Sequence, residues 1–183
     1  MTALARYREL AARVDAFFAK VHGRHAAEMA CSEGCADCCV GGLSITSVEA
    51  AAIREGLAAR AAPERARIAE RARTNKAARC AALDADDRCG VYDDRPLVCR
   101  SHGVPIRTPR PNRVQLPVVS ACEKNFGGGL TLDAVAPDGV LDQVTLSTVL
   151  LAVDSAFAAE RGQPRGGRVD LAGLLRAAAA DPA

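Results

Sequence analysis

A chain of 183 residues has the length of one ordinary domain, and its 49% hydrophobic and 25% charged residues exclude the apolar-poor composition of a disordered chain. A formal net charge of +2 is too small to mark a nucleic-acid or membrane-surface protein by overall electrostatics. With 3% aromatic residues, no Trp and abundant Ala, the core must be built from small aliphatic side chains between closely packed helices, so a mainly α, small single-domain protein with at most short β-strands is expected.

Leu4, Tyr7, Leu10, Val14, Phe17, Phe18 and Val21 recur at three-to-four spacing, which predicts an amphipathic helix from Ala3 to about Glu28, with Thr2 as its N-cap. Cys31 to Gly42 has no helical or strand period and reads as a tight ligand loop. Thr46 and Glu49 have capping-box spacing and open a helix to about Arg60; Pro63 suits the first turn of another, running to about Ala78. From Cys80 to Phe126 the texture turns to Pro, Gly, Asp and Arg, with short strands expected at Gly90-Val-Tyr92 and Val114-Gln-Leu116.

Asp84, Asp86 and Asp87 read as a solvated turn, and Gly127 to Gly129 as a flexible hinge. Val140 to Glu160 is apolar on much of its circumference, which predicts a central, buried helix. Gly162 to Gly167 is a linker, Asp170 caps a last helix through Arg176, and the Ala-rich end is expected to fray. The whole of 1–183 is expected to be one domain, with 31–122 as a metal-binding region and the helices of 139–177 packing on the N-terminal helix.

The N-terminus lacks the apolar run of an export signal, and Val144 to Ala158 is interrupted by Asp154 and shorter than the ~20 residues of a membrane span. A cytoplasmic protein without a membrane partner is expected. Eight cysteines in a reducing compartment point to metal or catalysis rather than to disulfides.

They fall in two groups: Cys31, Cys35, Cys38 and Cys39, then Cys80, Cys89, Cys99 and Cys122. The first run, Cys-x3-Cys-x2-Cys-Cys, places four thiols within nine residues, the density needed to surround zinc or hold an iron–sulfur cluster. Adjacent Cys38 and Cys39 diverge, so one of them should join ligands of the second group. Cys122 fits a ligand or a plain core thiol. The triplet Cys31, Cys35, Cys38 has the spacing of radical S-adenosylmethionine enzymes, but a helix precedes it and no alternating strand–helix barrel follows, so that class is rejected.

Two segments carry a family resemblance. One is Cys31-Ser-Glu-Gly-Cys35-Ala-Asp-Cys38-Cys39 leading into Leu43-Ser-Ile-Thr46-Ser-Val-Glu49-Ala50; the other is Cys80 followed by Cys89-Gly-Val-Tyr92-Asp-Asp-Arg95-Pro96-Leu-Val-Cys99-Arg100. Together they resemble the YkgJ, or CxxCxxCC, cysteine-cluster family of zinc- or iron-chelating domains. The departure is three residues instead of two after Cys31. The resemblance implies metal chelation and no settled reaction. A similar cysteine domain in some flagellin lysine-N-methylases leaves an iron–sulfur role, [4Fe–4S] included, linked to methyl transfer as an alternative, beside electron transfer and a metal store or chaperone.

Metal-bound thiolates are anionic, and Arg88, Arg95, Arg100, Arg107, Arg110 and Arg113 can offset that charge and donate hydrogen bonds to sulfur; Tyr92 belongs to the same motif. The bland reading of Arg107, Arg110 and Arg113 is a solvated basic loop, and RNA contact by this stretch is weak without interleaved aromatics. Of the histidines His22, His25 and His102, the last, three residues after Cys99, is the best nitrogen ligand, although such residues are more often simply exposed. No nucleophile–base pair and no phosphate-binding loop is evident. A protein partner is left open.

Overall fold

The computed structural model of the protein describes residues 1–75, 78–110, 116–127 and 132–179. Helix dominates, as the small-residue composition requires. In chain order the elements are α1 (Ala3–Arg24), β1 (Ser44–Thr46), α2 (Ser47–Ala58), α3 (Ala62–Thr74), α4 (Leu97–Ser101), β2 (Ile106–Thr108), β3 (Val118–Ser120), β4 (Leu141–Asp142), α5 (Gln143–Glu160), β5 (Arg168–Asp170) and α6 (Leu171–Arg176), with 3-10 turns between them. No helix of the described residues is long and apolar enough to cross a membrane.

Two compact units are distinguished: Met1–Arg8, Glu33–Pro96 and Val153–Ala183 form the first, Glu9–Ser32 and Leu97–Ala152 the second. In the first, α2, α3 and α6 enclose a core of Ile45, Ile53, Leu57, Ile68, Ala69, Leu171, Leu174 and Leu175. The half-buried Cys80 and Cys89 pack against its edge. β1 and β5 pair antiparallel, Ile45 opposite Val169, and so bring the starts of α2 and α6 together. In the second unit Val21, Met29, Val104, Phe126 and Val135 form a smaller core, over a sheet in which β2 pairs antiparallel with β3 and parallel with β4.

The helix ends follow the local chemistry. Thr2 accepts from the Ala5 amide at 3.2 Å, and the Glu160 carboxylate takes the Ala3 amide at 2.9 Å, so two acceptors serve the exposed donors of α1. The capping box of α2 is complete: the Thr46 hydroxyl accepts from the Glu49 amide and the Glu49 carboxylate from the Thr46 amide. Pro63 lies in the first turn of α3, and the Asp170 carboxylate accepts from the Gly173 amide at 2.8 Å at the start of α6.

Several expectations are corrected. α1 ends at Arg24, and a separate 3-10 turn, Ala26–Glu28, follows because His25 leaves helical geometry with φ −128° and ψ 33°. α3 stops at Thr74, where Asn75 is extended. Gly90-Val-Tyr92 is no strand: the Asp94 amide donates to Val91 and the Arg95 amide to Tyr92, and these local bonds wind 92–94 into a 3-10 turn. α5 is no fully buried spine, since Val144, Val149 and Leu151 are 52%, 40% and 55% exposed. The Val114 strand, most of the Gly127 to Gly129 hinge, Arg113 and the frayed end at 180–183 lie outside the described residues.

Candidate metal centre

In the first unit, backbone pairing brings cysteines from the two sequence groups together. The Cys80 amide donates to the Cys39 carbonyl at 2.9 Å and the Gly41 amide to that of Ala78 at 3.1 Å, around an antiparallel bridge between Val40 and Arg79. Cys39 is thereby zipped to Cys80. The chain then folds back once more: Leu83 bridges Cys89, the Gly90 amide donates to Ala82 at 2.8 Å and the Asp84 amide to Arg88 at 2.9 Å. Cys89 returns beside Cys80, close enough for the charge of one sulfur to be felt by the other.

The turn that closes this hairpin is Asp84 to Arg88. The Asp84 carboxylate accepts from the amides of Asp86 and Arg88, both at 2.9 Å, and Asp87 takes φ +62°. The Arg88 amide holds the Asp84 carboxyl below the usual carboxylate range, more than burial raises it. Arg88 forms an ion pair with Glu33 at 2.9 Å, so the hairpin tip rests on the turn that presents Cys35. Cys35 is half-buried and Cys38 exposed. Asn75, just past α3, donates to the Cys80 carbonyl at 2.7 Å and ties the hairpin to the helical core.

Burial pushes the Cys89 thiol up, while the Val91 amide that donates to its sulfur pulls it down; the neighbouring Cys80 raises it, and the charges of Arg95 and Arg60 lower it. Arg95 also stacks over the Tyr92 ring at 4.0 Å and donates to the Tyr92 carbonyl at 2.8 Å. Tyr92 is 59% exposed and covers the Arg95 guanidinium.

In the second unit Cys31, Cys99 and Cys122 have a different setting. Asn125, 5% exposed, accepts from the Ala30 amide at 2.9 Å and donates to the Gly103 carbonyl at 2.7 Å and to the Cys31 sulfur at 3.3 Å. Its own amide donates to the Cys122 carbonyl at 2.8 Å, so one asparagine binds the surroundings of both cysteines. Gly103, at φ +99°, passes close to Cys31: a β-carbon there would lie 2.7 Å from the sulfur. Cys99 and His102 are exposed. Arg100 is 7% exposed and forms an ion pair with Asp15. His22 stacks on Phe18, and His25 packs edge-on against Phe126. The Thr145 amide holds the Asp142 carboxyl down, and the charge of Arg107, in β2, adds to it.

None of the eight cysteines, all of them described, forms a disulfide. Among the described residues no three His, Cys, Asp or Glu side chains are arranged to hold an ion. The donor chemistry nevertheless suits one. The first unit carries five sulfur donors, of which Cys89 already accepts an amide hydrogen bond from two residues ahead, and all-thiolate sets select zinc and iron. A buried guanidinium nitrogen, Arg60 Nη1, also lacks any hydrogen-bond partner among the described residues. Sequence reasoning missed Asn75, Arg60 and Asn125. An Asn just beyond a helix was a readable end signal for the first; nothing in the sequence marks the other two.

No curated protein and no solved structure matches the chain. Residues 30–114, a stretch that holds every cysteine but Cys122, match the family model CxxCxxCC, described as "Putative zinc- or iron-chelating domain".

Proposed function

We propose that the chain chelates zinc or iron through thiolates of the first unit, with Cys39, Cys80 and Cys89 as the fixed donors and Cys35 and Cys38 closing onto the ion. What supports this reading above all is the Cys39–Cys80 pairing, which joins two donors 41 residues apart in the chain through a backbone hydrogen bond of 2.9 Å. Cys89 is carried to the same place by its own hairpin. A bound ion would crosslink the loop that carries Cys35, Cys38 and Cys39 to the hairpin that carries Cys80 and Cys89. Metal affinity and folding of residues 33–42 and 78–96 are then one equilibrium.

On this reading the protein is a structural or accessory metalloprotein of a reducing, cytoplasmic setting. A protein partner for the assembled domain belongs to the same proposal. Cys31, Cys99, Cys122 and His102 are the remaining candidate ligands, and their share is read from stoichiometry. Metal and acid-labile sulfide are measured, with an optical spectrum, on protein purified without oxygen. Colourless protein with about one or two zinc ions per chain supports the structural reading. Brown protein with iron and sulfide near about four per chain assigns a [4Fe–4S] centre and moves the function toward electron or methyl-group transfer. Protein that takes up neither metal, or takes up the same amount after Cys39, Cys80 and Cys89 are changed to Ser, overturns the reading.

A further inference from the structure

We infer that Cys39 and Cys80 are a redox modification site: hydrogen peroxide joins them in a reversible disulfide, and the new bond takes both sulfurs from the ion. The release of metal rests on the chelation reading above; the disulfide itself does not. Backbone register carries the inference. Val40 and Arg79 face each other in an antiparallel bridge, closed by the Cys80 amide on the Cys39 carbonyl at 2.9 Å and by the Gly41 amide on the Ala78 carbonyl at 3.1 Å. Cys39 and Cys80 are therefore the next facing pair. Facing residues put their side chains on one side of the ladder, with α-carbons about 5.5 Å apart where a backbone bond joins them. A disulfide spans about 4.4–6.8 Å between α-carbons, so the two can be bridged with the backbone where it stands. Local bonds hold the pair from outside: the Cys39 amide donates to the Ala36 carbonyl at 2.9 Å, and the Asn75 side chain to the Cys80 carbonyl at 2.7 Å.

Among the described residues no other two cysteines of the first unit share such a register. Cys89 faces Leu83 across its own hairpin. A route for a small oxidant is also open. A cavity of about 230 Å³ has Cys80 in its wall, beside Val40, Gly41, Asn75 and Arg79. That is below the ~300 Å³ at which pockets for drug-sized ligands begin, and ample for hydrogen peroxide. Both cysteines are half-buried and neither is in a disulfide, so the structure shows the reduced form. Transient, redox-sensing disulfides are the kind that a reducing compartment admits.

The Cys80 sulfur attacks one peroxide oxygen and the O–O bond breaks; the leaving hydroxide takes the thiol proton and departs as water, and Cys80 becomes a sulfenic acid. The Cys39 sulfur then attacks the Cys80 sulfur. The S–S bond forms, the S–O bond breaks, and the hydroxyl leaves as a second water with the proton of Cys39. Each sulfur loses one electron and the peroxide gains both. Starting from metal-bound thiolates, the same steps draw two protons from solvent and set a divalent ion free. A dithiol reverses the reaction by exchange, becoming a disulfide itself.

The test uses the reduced full-length chain offered zinc, then treated with an equimolar amount of hydrogen peroxide. Remaining thiols are alkylated, the crosslink is located by mass spectrometry of an unreduced digest, and freed zinc is followed with a chromophoric chelator. Two thiols should be lost within one chain, Cys80 should be found joined to Cys39, zinc should appear in step with that loss, and dithiothreitol should restore both thiols. Cys38→Ser should keep the crosslink and Cys39→Ser should lose it. In urea, where the register is gone, the crosslinks should scatter over the cysteines.

A crosslink on another pair, a disulfide between chains, or the same preference in urea overturns the inference. If zinc binds and no Cys39–Cys80 disulfide forms, the chelation reading stands and the inference falls. If the disulfide forms in a chain that takes up no zinc, the chelation reading fails with the release step, and the modification site stands. Zinc that stays bound after the disulfide has formed overturns the release step and removes both cysteines from the ligand set.

Discussion

The Asp94 carboxylate occupies the space in which a side chain on Gly56 would stand, so that a β-carbon built there overlaps it. A glycine inside a helix costs about 1 kcal/mol relative to alanine, and the interior of α2 accepts that cost so that the turn following Cys89 can dock. Gly56→Ala should therefore destabilise the protein by roughly 1–3 kcal/mol, overpacking outweighing the gain in propensity. Urea denaturation with far-UV circular dichroism measures it. Combined with Asp94→Ala, the same substitution should become far milder, a coupling of about 0.5–3 kcal/mol as expected of residues in contact. A stabilised Gly56→Ala protein would refute the docking.

Asp154 is 2% exposed, and its carboxylate accepts from the Val48 amide at 2.9 Å, inside the first turn of α2. The side chain brings a negative charge to the positive end of a helix whose box, Thr46 and Glu49, already serves two other donors. Asp154→Ala strands a buried amide and should cost about 1.5–3 kcal/mol, the range for hydrogen bonds to charged groups. Asp154→Asn keeps an acceptor oxygen and should cost clearly less. Equal losses in the two variants, from thermal or urea melts, would mean that packing rather than the hydrogen bond is at stake.

These two positions illustrate what could be read from the sequence. The caps at Thr2, Thr46, Pro63 and Asp170 were legible because each is decided within a few residues by local donors and acceptors. α5 was misread as buried throughout because hydropathy counts apolar side chains, whereas a helix buries only the stripe that meets a partner. Leu146 and Phe157 are on that stripe, Leu151 is 55% exposed, and the charged Asp154 goes inside for one capping bond. The cysteine spacings announced the match of residues 30–114 to the chelating-domain model. They did not announce the Asn75, Asn125 and Arg60 contacts, since each depends on where distant backbone comes to lie.

Asp138 meets Lys20 and Arg24, each at 2.8 Å, and hydrogen bonds from these two cations pull its carboxyl from 3.8 down to about 2. A depressed folded-state value stabilises the charged form, so the contribution is present in full above the ordinary carboxylate range and is lost as pH falls from 3.8 through about 2. The cluster is exposed and screened, so the effect is small and should shrink in high salt. Asp138→Asn should lower stability slightly at neutral pH and leave it unchanged relative to the parent below pH 2, where both side chains are neutral. Denaturation midpoints from well below pH 2 up to pH 6, at low and high salt, measure it. A difference that persists undiminished at the acid end would place the cause in packing instead of charge.

The cysteines of the first unit divide by burial, and the division makes metal binding separable from packing. Cys80 and Cys89 lie against the core of Ile53, Ile68 and Leu171, whereas Cys38 is exposed. Replacing sulfur by a hydroxyl against an apolar wall costs about 1–3 kcal/mol, so Cys80→Ser and Cys89→Ser should be destabilised even in the presence of a strong chelator. Cys38→Ser should stay within about 0.5 kcal/mol of the parent under that condition, as exposed substitutions do. With zinc added, the parent should gain stability as a ligand that binds only the folded state requires, and all three variants should gain less. Parallel thermal melts with and without zinc therefore give two independent differences for each cysteine. A Cys38→Ser protein that gains as much from zinc as the parent would remove Cys38 from the ligand set. Cys80→Ser and Cys89→Ser proteins that match the parent in chelator would contradict their place at the edge of the core.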